Sequence, residues 1–165
     1  MTQAPLASLS DVDWLKRHWA NIEKSGTFEG AYPFSTPFNQ IKGSKGTISL
    51  ANSDGVFHGP LIKDLLYRNA ATMQYPKSNR LGIVFLVPAL SERKLQKQEI
   101  LQAFGRKYKN LWLGDGTADY TVEKGKKVFA RYGIKTYHQY VVGKSDIIIY
   151  YDQNDIARMI SISQF

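Results

Sequence analysis

Residues 137–162 read Tyr-His-Gln-Tyr-Val-Val-Gly-Lys-Ser-Asp-Ile-Ile-Ile-Tyr-Tyr-Asp-Gln-Asn-Asp-Ile-Ala-Arg-Met-Ile-Ser-Ile, and this stretch decides the fold class. Three runs rich in β-branched and aromatic residues, 137–142, 147–151 and 156–162, are separated by Gly143-Lys144-Ser145 and Asp152-Gln153-Asn154-Asp155. Both separators consist of turn formers, and each is too short for a crossover, so the runs are expected to form an antiparallel meander. Upstream, Leu81-Gly82-Ile83-Val84-Phe85-Leu86-Val87 is apolar on both faces, which suits a strand inside the sheet. Thr47 to Leu50 alternates, Asp54-Gly55 is a turn signal, and Val56-Phe57 returns as the second arm of a hairpin. The prolines of residues 32–38 exclude that segment from a central strand, because they lack the ladder donor.

Between these pieces the spacing predicts helices. Ser10 precedes Asp11-Val12-Asp13-Trp14, an N-cap with an acidic first turn, and Gly26 is a stop, so a helix is expected over 11–25. Pro60 followed by Leu61, Ile62, Leu65, Leu66 and Met73 predicts a second helix over 61–71. Ser91 is read as the cap of a third over 92–109, with Ile100, Leu101, Phe104 and Tyr108 on one side. Thr121 is read as the cap of a fourth, which carries Val122, Phe129 and Tyr132 and stops at Gly133. The expected fold is therefore α+β: one antiparallel or mixed sheet from residues 47–58, 81–87 and 137–162, with about four helices packed on it. A gap-free offset of 64 places Ile83-Val84-Phe85 on Ile147-Ile148-Ile149, which suggests two helix–strand units related by a weak internal repeat.

The chain has 165 residues, enough to bury a core as one domain, with residues 1–10 read as a flexible N-terminal segment. It contains no cysteine, which excludes disulfide frameworks, thiolate metal sites and cysteine nucleophiles. No run of 18 apolar residues predicts a transmembrane helix, and the first ten residues lack the pattern of a signal peptide. A cytoplasmic chain fits this, and so does an exported or periplasmic one whose leader has been removed. The element order of 121–162 resembles that of small accessory lipoproteins of bacterial envelopes, in layout and not in any motif.

Candidate chemistry is sparse. His18, His58 and His138 are too scattered for a metal signature. Convergence of His58 and His138 beside Arg131 or Lys135 would supply the acid, base and phosphate clamp of a metal-free nuclease. Gly114 to Asp119 lacks the third glycine of a dinucleotide loop, and Asp152 to Asp155 lacks the glycine and distal glutamate of a calcium loop. Neither a catalytic triad nor a cofactor is implied.

Charge is the uneven feature. The net charge is +8, and residues 91–135 hold eleven basic and five acidic side chains, so most of the excess lies there. Arg93, Lys94, Lys97, Arg106, Lys107, Lys124, Lys126, Lys127 and Arg131, interleaved with Tyr108, Trp112 and Tyr132, are read as a surface for an anionic partner. Tyr137, Tyr140, Tyr150 and Tyr151 are read as sheet packing or as interface anchors. The leading expectation is a non-enzymatic binding module that engages a protein through this basic, tyrosine-rich surface, as an envelope accessory or an inhibitor. Nucleic-acid binding through residues 91–135 is the alternative and the nuclease a second; an anionic membrane surface also suits the charge.

Overall fold

The computed structural model describes residues 3–49, 56–70, 79–110 and 133–164. Among these residues eight strands form one sheet: β1 (Ser44–Ser49), β2 (Val56–Ile62), β3 (Leu65–Asn69), β4 (Leu81–Leu86), β5 (Lys109–Asn110), β6 (Ile134–Val142), β7 (Ser145–Asp152) and β8 (Ala157–Gln164). Their order is β1-β2-β3-β4-β8-β7-β6-β5, with every pairing antiparallel. The meander expected from residues 137–162 is β6-β7-β8. It joins the N-terminal strands through β4, where Val84 faces Ile162 and Leu86 faces Ile160. The apolar run at 81–87 thus lies between two neighbours, so alternate residues face opposite sides and both sets are buried.

Two α-helices occur among the described residues, and both cover the same face. Helix α1 (Asp11–Ser25) begins where the Ser10 hydroxyl accepts a hydrogen bond from the Asp13 N–H at 3.3 Å and ends at Gly26, whose φ is 83°. It buries Trp14, Leu15, His18 and Ile22. Helix α2 (Lys97–Phe104) opens with a reciprocal pair of hydrogen bonds between Gln96 and Glu99, and packs on α1 with the Trp19 and Phe104 rings 4.7 Å apart. Beneath the helices lies a core of Leu65, Tyr67, Val84, Leu86, Ile147, Ile149, Tyr151, Ile160 and Ile162. The opposite face carries a smaller cluster of Ile48, Leu66, Phe85, Val87, Ile134, Tyr150 and Met159.

This architecture corrects the expectation of about four helices. Residues 61–69, in the stretch expected to be the second helix, form a hairpin: Leu61 pairs with Leu66 and Ile62 with Leu65 across the Lys63-Asp64 turn. Two short apolar arms satisfy helical spacing by accident, and the pairing offered by β1 on one side and β4 on the other decides in favour of strand. Pro60 is tolerated in β2 because it lies outside the part paired with β3. The helix expected over 92–109 is shortened to eight residues. Ser91 does not cap it but donates to Asp64 Oδ2 at 2.6 Å, Glu92 takes a left-handed φ of 57°, and the Leu95 carbonyl accepts from the Ala157 N–H. The helix expected over 121–133 lies outside the described residues. The repeat at offset 64 needs a helix before the strand at 81–87, and the hairpin at 61–69 stands in its place, so the repeat loses its basis.

Candidate functional site

Three residues singled out in the sequence, Lys97, Tyr108 and His138, come together at one end of the sheet. His138 lies on β6 and points to the helix face with Tyr140, which is two residues on and therefore on the same side. The Tyr108 ring stacks on the His138 imidazole at 3.8 Å and 19° between planes. Tyr151 of β7 meets the same imidazole edge-on at 5.0 Å, and the Lys97 ammonium lies 5.5 Å above the Tyr151 ring. Tyr140 closes the cluster: its hydroxyl donates to the Gly105 carbonyl at 2.8 Å and its ring contacts Trp19 and Phe104.

Burial sets the electrostatics of this cluster. It pushes the His138 imidazole down to about 4; the Lys97 charge adds to the effect and Asp155 opposes it. Burial also raises the Tyr140 hydroxyl to about 12 and drives that of Tyr151 further up. The imidazole is therefore neutral at pH 7, and the two phenols stay protonated. His138 Nδ1 and the Tyr151 hydroxyl are both buried and make no hydrogen bond among the described residues. The Tyr108 and Tyr151 rings enclose the imidazole from its face and its edge. It holds Tyr108 in place with a flat, uncharged backing ring.

Around Tyr108 the surface is cationic. Arg106, Lys107 and Lys109 are exposed, and Lys109 belongs to β5, the last strand of the sheet among the described residues. Lys94 is exposed and Lys97 half-buried. Arg93 departs from the expected surface. Its side chain is only 9% exposed, with Nη1 donating to Asp11 Oδ1 at 2.9 Å and Nη2 to the carbonyls of Leu6 and Leu9. The guanidinium also lies 4.9 Å from the centre of the Trp14 ring. Arg93 is thus an internal fastener for the N-terminal segment and not a contact for an anion. Lys124, Lys126, Lys127, Arg131, Trp112 and Tyr132 lie outside the described residues.

Of the sheet tyrosines, read as packing or as interface anchors, Tyr140, Tyr150 and Tyr151 are buried in the two cores. His58 and His138 do not converge. His58 is exposed on β2, His138 is buried on β6, and the strands are five spacings apart in the sheet; that is about 24 Å at ~4.8 Å per strand. The sequence reading missed Tyr151 and Asp155 as neighbours of His138, although a tyrosine two residues beyond Ile149, which pairs with His138, was the available signal.

Among the described residues no group of three or more His, Asp or Glu side chains could hold a metal ion, and no helix is long and apolar enough to cross a membrane. No family model matches the chain, and no curated protein matches it in sequence. One solved structure, a DUF4309 family protein (YjgB) from Bacillus subtilis, is similar over 93% of this chain and 97% of its own, at 9% identity and a TM-score of 0.48, a likeness too loose to transfer fold or function.

Proposed function

We propose that the protein is a binding module that takes an acidic, extended segment of a partner protein along the basic rim at the β5 edge. One observation carries the reading: Arg106, Lys107 and Lys109 put three exposed cations within four residues, at a strand that pairs with β6 on one side only among the described residues. An unpaired strand edge offers backbone donors and acceptors to an added strand, and the flanking cations select for carboxylates. Tyr108, clamped between them by its stack on His138, keeps this stretch in one conformation and lowers the ordering cost of binding. The common alternative role of edge lysines is to prevent strand-to-strand aggregation, and the experiment separates the two.

The test is isothermal titration of the chain with a peptide that alternates Glu with Val or Thr. Binding is expected at low salt, weakened at least about tenfold by the K107E/K109E double reversal, and weakened again as salt rises. Undetectable binding, or binding indifferent to both changes, refutes the proposal. Placement of an aromatic ring among cations also favours a second reading, single-stranded nucleic acid. A short oligonucleotide that binds more tightly than the acidic peptide, and loses affinity when Tyr108 becomes Ala, selects that reading instead.

A further inference from the structure

The pairing at the β5 edge sorts the side chains of the rim by face. Lys109 stands opposite Gln139 and Asn110 opposite His138, and residues directly opposite one another in an antiparallel ladder point to the same side of the sheet. Gln139 in turn stands opposite Ile148, which packs on the cluster away from the helices. Lys109 therefore belongs to that far face. Asn110, and the Tyr108 ring stacked on His138, belong to the helix face.

Each face offers something different to a strand laid outside β5. On the far face the edge presents the exposed Lys109; the carboxylate of that corner, Asp146, lies on β7, two strands inward, and accepts from Gln139 Nε2 at 2.7 Å. On the helix face the edge presents a half-buried tyrosine ring and a neutral amide. Lys97, the cation of the His138 cluster, sits over Tyr151 of β7, about 10 Å inward of the edge at ~4.8 Å per strand, and an added strand would lie one spacing further out. That distance is about a Debye length or more at physiological salt. A carboxylate directed to the far face is thus a close neighbour of Lys109, whereas one directed to the helix face meets a ring and an amide in place of a cation.

We propose that the partner segment is two-faced, with carboxylates at every second position on the side of Lys109 and β-branched or aromatic residues between them against Tyr108. This rests on the reading of the β5 edge as a strand-binding site and adds the sequence pattern that the edge selects. Two peptides of equal Glu and Val content test it, one alternating and one with its Glu residues in a single block, each titrated calorimetrically into the full chain. The wild-type chain is expected to bind the alternating peptide at least about threefold more tightly. The K109N/N110K exchange moves the cation to the helix face at two exposed positions without changing the net charge, so the melting temperature is expected to hold while the preference disappears or reverses. Equal affinities in the wild type, a preference for the block, or a preference that survives the exchange overturns the inference and leaves the strand-binding reading standing. Absence of binding by either peptide overturns both.

Discussion

Replacing Arg93 by Met keeps an unbranched stem and removes the charged guanidinium, which makes it the sharpest probe of how the N-terminal segment is held. Two hydrogen bonds to carbonyls disappear, each worth about 1 kcal/mol net. The Asp11 pair also goes; because the Asp11 side chain is 34% exposed, it ranks near the upper end of surface pairs, at about 1 kcal/mol. The guanidinium over Trp14 contributes a similar amount, and a Met sulfur beside the ring returns about half of that 1 kcal/mol. The total loss is about 3.5 kcal/mol, reduced to about 2 if residues 3–9 detach and their carbonyls regain water. At about 2–4 °C per kcal/mol for a chain of this size, the melting temperature falls by about 4–14 °C. Urea denaturation at constant m measures this directly. Asp11→Asn costs the pair and the favourable charge in the first turn of α1, so a double-mutant cycle with Arg93→Met should show a coupling of about 1 kcal/mol. A loss below about 0.5 kcal/mol, or strict additivity in the cycle, would refute the role given to Arg93.

Three further outcomes are expected. The His18 imidazole is lowered to about 3 by burial and then by the charges of Arg93 and Arg17, and its Nδ1 accepts from the Glu29 N–H, so protonation there breaks a hydrogen bond. His138 is lowered to about 4. Both folded values lie below the unfolded value of about 6.5, so the unfolded chain binds more protons. Stability is therefore full above about pH 6.5 and falls as pH drops toward 4, and His18→Gln flattens that slope when denaturation midpoints are compared across the range. Tyr140→Phe forfeits the bond to the Gly105 carbonyl and costs about 1 kcal/mol, whereas Tyr151→Phe removes a buried hydroxyl without a partner and is neutral or stabilising by thermal melts. A methyl group on Gly59 would collide with the Tyr67 carbonyl oxygen of β3, a backbone atom that cannot swing away, so Gly59→Ala costs more than about 2 kcal/mol in the same melts.

Features decided within a few residues were legible without a structure. Ser10, the acidic first turn and Gly26 bound α1 at the positions where they stand in the sequence, because capping is settled between groups three or four residues apart. The meander followed for the same reason: its two connections are turns that nothing distant needs to stabilise. At the second of these, Asp152 Oδ1 accepts from the N–H groups of Asn154 and Ile156, a local bond of the kind that makes Asp a turn former.

What tertiary structure alone decided are the places where two readings satisfied the same local rules. Leu61 to Leu66 fits a helix face and a hairpin equally well, and only the neighbouring strands at 44–49 and 81–86 break the tie. The fate of Arg93 depended on Asp11, 82 positions away, and on the Leu6 and Leu9 carbonyls that share its guanidinium. Tyr108 and His138 became partners because β5 pairs with β6, not because of any spacing between them. Sequence by itself determined local backbone geometry and the sign of the charge; which cations stay outside was set by long-range burial, since a side chain keeps its charge inside only where a distant partner is waiting for it.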